Sequence, residues 1–382
     1  MECLEKHDWI EYTREELEKI KIQTPDETIR KKVQKNWDSV AKPLDSMGRF
    51  EELTAQIGGI LGTEDFDLSK KAVLIFCADN GIVEEGVSQS GQEVTLAVAK
   101  SMGKQKSSVG KMAAKIGADT IPVDIGINCA GTFEGILNPN PRPQETTQET
   151  IPGVLNCKIR SGTANFLKKP AMTEEETVKA IAVGMNLVHS CKEKGYTLLA
   201  TGEMGIGNTT TSSAICAALL DVDVEAVTGR GAGLDDKGLL RKHQVITEAI
   251  LKYDLKHADA FTVLQTVGGL DIAGLVGVCI GGAVYGVPIV LDGVISAVAA
   301  LVAEKLFPGT KQFLLPPHKG KEPAIQWICE KLQLTPIVDA SLALGEGTGA
   351  VMLFALLDMA MCLYEEKTLF SDISVEQYER FK

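Results

Sequence analysis

The sequence predicts an α/β protein: a doubly wound, mostly parallel sheet with helices on both faces, joined to a small helical domain made of the N- and C-terminal segments. Three observations carry this. After Lys71, six apolar runs of strand length alternate with helix-length segments. The runs are continuously apolar, as strands are when both faces of a parallel sheet are covered. Before and after that region the pattern is helical. The expected division is 1–60 for the N-terminal helical part, 61–345 for the α/β domain and 346–382 for the returning C-terminal helices.

From Tyr12 to about Leu61 the pattern is helical and polar-rich. Thr24-Pro25-Asp26-Glu27 reads as a helix start, with an N-cap threonine, proline at the first position and acids in the first turn. "KPLDSMGRFEEL" (42–53) offers a loop and another start. The strand-like runs are "AVLIFCA" (72–78), "TIPVDIGI" (120–127), "TLLAT" (197–201), "VPIVLDG" (287–293), "QFLLP" (312–316) and "TPIVD" (335–339). Between them the clearest helix signal is the capping box Thr173–Glu176 ahead of "VKAIAVGMNLVHSC". Residues 131–152, rich in Pro, Thr and Gln, read as a surface excursion. The uncharged stretch 272–291 is long enough to span a bilayer. Its five glycines and Pro288 divide it instead into a buried helix and a strand. Ala273, Gly277 and Gly281 recur every four residues and allow close approach to a neighbouring helix, so no membrane span is expected.

Composition narrows the functional classes. The formal net charge of −12 over 382 residues argues against a nucleic-acid partner, which needs clustered Lys and Arg. The nine cysteines are scattered and never form Cys-x-x-Cys, which suits a reduced, cytoplasmic protein better than a disulfide framework or a zinc ribbon. The charged start "MECLEKHDWIEY" has no apolar core of a secretory signal. His7, His189, His243 and His257 show no metal-ligand spacing.

Ligands of doubly wound sheets bind beyond the carboxyl ends of strands, and four stretches here leave an apolar strand and turn abruptly polar. "TGEMGIGNTTTSSAI" (201–215) runs from a strand through Gly205 and Gly207 into a helix start at Asn208 and Thr209. It reads either as an anion cradle, most plausibly for phosphate, or as a tight turn with threonine capping. It lacks the Gly-Lys-Ser/Thr of a Walker loop. Glu203 beside a phosphate would repel it unless it serves another part of the ligand. In "CADNGIVEEGVSQSGQEVT" (77–95), Ser88, Ser90 and Gln92 supply neutral hydrogen-bond groups suited to an uncharged ring, or form an exposed polar loop. In "GRGAGLDDKGLLRKHQVI" (229–246), Lys242 could reach a phosphate as a point charge, or belong to a solvated helix start. In "LALGEGTGAV" (342–351), Glu346 between two glycines is a general-base candidate, or a helix N-terminal acid.

Taken together, "ADNGIVEEGVS", "GTANF", "TGEMGIGNTTTSSA", "GRGAGLDDKGLLRK", "VGGLDIAGLVG", "PIVLDGVISAVAAL" and "LGEGTGA" closely resemble the nicotinate-nucleotide:dimethylbenzimidazole phosphoribosyltransferase family over most of residues 40–360. The resemblance implies transfer of phosphoribose from nicotinate mononucleotide to a base that becomes the lower ligand of cobamides. It implies Glu346 as the catalytic glutamate and Glu203 as the carboxylate near the incoming base. Met204 and Leu344 would be apolar walls for that base. Gly205, Gly207, Asn208 and Thr209 would cradle the 5′-phosphate, helped by Lys242, and Asp292 would face the ribose or nicotinate. It implies a homodimer. The leaving pyridine departs neutral and no pyrophosphate is released, so neither metal nor cofactor is expected.

The chain departs from the family pattern at four places. Asn80 stands where histidine is frequent, Gly91 where proline is, and Asp271 where glutamate is usual; "PPHKGKEP" (316–323) differs from the commoner His-Arg-Ser-Ala-Glu-Pro. These leave the accepted base open. The alternatives are a phenol-specific relative working in a heteromeric pair and a non-catalytic nucleotide-binding subunit.

Overall fold

The computed structural model describes residues 9–129, 136–137 and 153–380, so almost all of the expected 131–152 excursion lies outside the described residues. The chain runs α1 (Arg14–Glu18), α2 (Glu27–Ser39), α3 (Arg49–Leu61), β1 (Lys71–Ala78), α4 (Glu93–Gly103), α5 (Ser108–Lys115), β2 (Asp119–Gly126), β3 (Ile136–Leu137) and β4 (Val154–Asn156). It continues through α6 (Glu174–Glu193), β5 (Leu198–Met204), α7 (Asn208–Leu220), α8 (Val224–Val227), α9 (Asp236–Lys252), α10 (Ala260–Val267), α11 (Leu270–Tyr285), β6 (Ile289–Val290) and α12 (Val294–Leu306). Last come β7 (Leu314–Leu315), β8 (Lys319–Gly320), α13 (Ala324–Leu332), β9 (Asp339–Leu342) and α14 (Thr348–Glu365).

Seven strands form one sheet in the order β3-β4-β2-β1-β5-β6-β7, and every neighbouring pair is parallel. Both faces are covered, as the continuous apolar runs require. Every residue of β1 is buried. Leu74 and Phe76 join the core containing α6, α7, α10, α11 and α12, while Val73, Ile75 and Cys77 point the other way into the core shared with α2, α3, α5 and α14. From β1 the chain moves to β2 on one side, and from β5 to β6 and β7 on the other. The topological switch point therefore lies between β1 and β5, where such sheets open a crevice.

The stretch 272–291 resolves into α11 and β6, and its small residues bring α11 into backbone contact with α6. A Cβ on Gly277 would stand 2.0 Å from the Ile181 carbonyl, and one on Gly184 2.0 Å from that of Gly274. The one helix in the described residues long and apolar enough to cross a bilayer is α14, and 56% of it is buried in the fold, against α3, α5 and β5.

The capping box at Thr173 and Glu176 forms at the start of α6. Two expectations are corrected. The helix start at 24–27 is capped by Asp26, not Thr24, because the Asp26 carboxylate accepts from the amides of Thr28 and Ile29. "TPIVD" is not a strand of the main sheet. Arg49 takes the carbonyls of Thr335 and Pro336, and only Asp339 enters a strand, β9, which pairs with β8 in a separate two-stranded sheet. β3 and β4 had no counterpart among the runs read from sequence, being only two and three residues long.

Candidate active site

A cavity of about 310 Å³ opens at the carboxyl ends of β1, β5 and β6, where the switch point predicts one. Of the residues singled out from sequence, Ser88, Ser90, Glu203, Met204, Gly205, Gly207, Asn208, Thr209, Asp292, Leu344 and Glu346 all line it. Gln92 and Lys242 do not.

At one wall lies the start of α7. Its N-cap, Gly207, sits at φ 95°, a left-handed conformation glycine reaches without strain, and no side chain caps the helix. The amides of Asn208 and Thr210 turn back to the Gly205 and Gly207 carbonyls, so the wall offers the cavity the Thr209 amide and the positive end of the helix dipole, the elements of an anion site. Lys242 stands behind this wall. Fully buried on α9, it donates from Nζ to Thr209 Oγ1 at 2.9 Å and to the Gly229 carbonyl at 3.1 Å. Burial lowers its pKa to about 8, opposed by the Glu322 carboxylate. Lys242 therefore meets the cavity wall through Thr209 rather than by protruding into the cavity.

Opposite is the turn bearing Glu346. Three successive residues are left-handed: Gly345 at φ 79°, Glu346 at φ 62° and Gly347 at φ 92°. For a glutamate that conformation costs about 1 kcal/mol, and strain of this kind collects at functional positions. The half-buried carboxyl accepts from the Val109 amide at 3.3 Å, in the first turn of α5. Its pKa is raised by burial, against that hydrogen bond, and Asp292 adds to the rise. A carboxylate with raised proton affinity is a stronger base for proton abstraction.

Asp292 supports this turn from below. Its oxygens accept from the amides of Gly347 (3.0 Å), Gly349 (2.8 Å) and Ala350 (3.3 Å), so they cap α14. His318 Nδ1 lies 3.6 Å away on the far side. Burial raises the Asp292 carboxyl and His318 opposes it. These contacts tie Asp292 to the Glu346 turn while it also lines the cavity.

Glu203 lies near the end of β5 and comes close to the same turn: a Cβ on Gly345 would be 2.7 Å from Glu203 Oε1. Burial pushes it up to about 8, against a hydrogen bond from Asn208, with Asp271, Asp292 and Glu346 contributing repulsion. The Asn208 side chain donates to both Glu203 and Asp271, and its backbone amide to the Gly205 carbonyl. On the remaining side, Ser88 Oγ donates to the Ser90 carbonyl at 3.0 Å. Gln92 acts as a strut, donating to the Asn80 carbonyl and accepting from Asn128. Met204 and the 56%-exposed Leu344 supply apolar surface at the mouth.

Sequence reasoning missed Glu322, which accepts from the Gly231 amide at 3.1 Å, and the buried Ser296 at the start of α12. His318 and Asp271 registered only as departures from a pattern, since nothing in their neighbours' spacing marks them. Among the described residues one acidic group, Asp38, Asp45 and Glu51, is compact enough to share an ion, but Arg380 and Lys42 already pair with it and none of the three lines the cavity.

A family model described as phosphoribosyltransferase matches residues 22–375. A nicotinate-nucleotide–dimethylbenzimidazole phosphoribosyltransferase from Clostridium acetobutylicum is 40% identical over 94% of this chain and 96% of its own length. One of the same name from Acetivibrio thermocellus is 42% identical over 91% and 94%. The crystal structure of such an enzyme from Thermus thermophilus superposes with a TM-score of 0.80 at 32% identity, covering 92% of this chain and all of that one. With a fold, a cavity and a matching span of this extent, the chain belongs to the nicotinate-nucleotide–dimethylbenzimidazole phosphoribosyltransferase family.

Proposed function

We propose that this protein transfers phosphoribose from nicotinate mononucleotide to a benzimidazole-type base, yielding the α-ribazole 5′-phosphate used in cobamide nucleotide-loop assembly and releasing nicotinate. The observation that carries the reading is Glu346, held in a left-handed turn between two glycines across one cavity from an uncapped helix N-terminus.

The chemistry follows from the donor. Its pyridine nitrogen is cationic while bonded to C1′. When that bond breaks, both electrons go to the ring nitrogen, and nicotinate leaves with a neutral ring. One nitrogen of the incoming base supplies the electron pair of the new C1′–N bond, and its other nitrogen gives its proton to Glu346. The start of α7, with Lys242 behind Thr209, suits the 5′-phosphate. Glu203, largely protonated at neutral pH, can lie beside the base without repelling the phosphate as a carboxylate would. Holding both reactants on either side of C1′ accounts for much of the remaining rate.

The protein acts as a cytoplasmic homodimer in this reading. Met352, Met359 and Leu363 give α14 an exposed apolar stripe, and Cys77, Cys191, Cys216, Cys279 and Cys329 are buried thiols. Light scattering at micromolar concentration tests the dimer.

The test of the activity is turnover of nicotinate mononucleotide with a panel of bases, followed by product mass, in wild type and Glu346→Gln. Formation of α-ribazole phosphate, lost at least about 100-fold in the variant, is expected. Product only with a phenol moves the acceptor and keeps the donor. No α-ribotide with any base refutes the proposal.

A further inference from the structure

Behind the base side of the cavity three polar side chains lead inward from Glu203: Asn208, Asp271 and Asn80. Asn208 Nδ2 donates at once to Glu203 Oε2 and, at 3.0 Å, to Asp271 Oδ2. Asp271, in the first turn of α11, and Asn80, just past the end of β1, are both fully buried. Beyond Asn208 the pattern breaks: among the described residues Asp271 Oδ1 and Asn80 Oδ1 are buried acceptors with no side-chain donor, and the Asp271 carboxyl otherwise meets only the amides of its own turn. The two oxygens border the same gap: a Cβ on Gly269 would lie 2.4 Å from each. Buried polar atoms are rarely left unpaired, and a proton on Asp271 would make it a donor toward Asn80.

We propose that Asp271 is a positioning residue for the incoming base: through Asn208 it holds Glu203 with one oxygen engaged and the other turned to the ligand. The inference rests on the reading that the base lies against Glu203. Two acids bridged by one amide nitrogen are not both ionised at low cost. Burial places Asp271 at about 6 and Glu203 at about 8, which supports the geometry. Asp292 and Glu346 also face Glu203, Asp79 faces Asp271, and His318 sits beyond Asp292. Lys158 and Lys242 are committed to Asp124 and to Thr209 with the Gly229 carbonyl. The Asn208 bridge thus fixes the orientation in which Glu203 meets the base.

The test uses Asp271→Ala, Asp271→Asn and each of them combined with Glu203→Gln. Asp271→Ala leaves an Asn208 N–H without its acceptor and frees Glu203 to turn. The KM for 5,6-dimethylbenzimidazole rises about tenfold, with the KM for nicotinate mononucleotide within about twofold of wild type. Asp271→Asn keeps an acceptor for Asn208 and removes only the charge. Glu203 then ionises more easily, so the alkaline limb of kcat/KM for the base moves to lower pH. In the Glu203→Gln background neither change has further effect on the base. An equal rise in both KM values, or an undiminished effect in the Glu203→Gln background, assigns Asp271 a merely structural role and overturns the proposal. Base affinity is also read by calorimetry. A wild type that binds base without turnover overturns the transfer reading alone, whereas equal base affinity in wild type and Asp271→Ala overturns this one.

Discussion

Glu203→Gln isolates the cost of keeping an acid buried near the end of β5. Glutamine matches the side chain in shape and still accepts from Asn208, so the substitution removes the charge and little else. In the folded protein the Glu203 pKa is raised from 4.5 to about 8. A group raised on folding contributes stability that is fully present below its unfolded value and is lost as pH climbs through its folded value. For Glu203 that window runs from about 4.5 to about 8. Each tenfold change in proton affinity is worth about 1.4 kcal/mol, which sets an upper bound of about 5 kcal/mol. Asp271, Asp292 and Glu346 share the repulsion and relax when one charge goes, so about 2–3 kcal/mol is the expected observable. Urea unfolding followed by circular dichroism at pH 5, 7 and 9 reads it. The variant should match wild type near pH 5 and become progressively more stable than wild type toward pH 9. A stability difference independent of pH, or one that opens toward acid, refutes the assignment of Glu203 as a protonated buried acid.

Three further outcomes follow from the same geometry. Glu346→Gly relieves the left-handed strain while removing the base, so the melting temperature rises by about 1–2 °C as α-ribotide formation falls at least about 100-fold; a melting temperature lowered by calorimetry would count against the strain. Lys242→Met removes the cation behind Thr209, and the KM for nicotinate mononucleotide rises about tenfold or more. In wild type the donor's kcat/KM should also fall as pH rises through about 8, where the free enzyme's Lys242 deprotonates, and that fall should vanish in the variant. Gly277→Ala drives a methyl to 2.0 Å from the Ile181 carbonyl, forcing α6 and α11 apart at a cost of about 3 kcal/mol or more, seen as lost soluble yield or a lower unfolding midpoint.

Much of the fold could be read in advance because a buried parallel strand must be apolar throughout. "AVLIFCA" became β1 almost to the residue, and the capping box at Thr173 marked the start of α6. Shorter pieces resisted. "TPIVD" has the composition of a strand, yet Arg49 holds its carbonyls from another part of the chain. The cap at Asp26 won over Thr24 because its carboxylate reaches two amides at once. At the site, motif-bearing residues such as Glu346 and Gly207 announced themselves by glycine spacing, since a left-handed turn demands it. Lys242 was read as able to reach a phosphate, but only the packing of α9 behind α7 reveals that it lies beneath Thr209.

The sequence by itself determined the layered α/β architecture, the polar stretches at strand ends and the family, because each is written in local composition and order. Tertiary structure alone decided which acids share one cavity. Glu203, Asp292 and Glu346 lie far apart along the chain, and the order β2-β1-β5-β6 brings them to a single crevice, with Asp271 buried behind Asn208. Their proton affinities are set by that convergence. Burial and mutual repulsion are properties of the folded environment, and no local spacing encodes them.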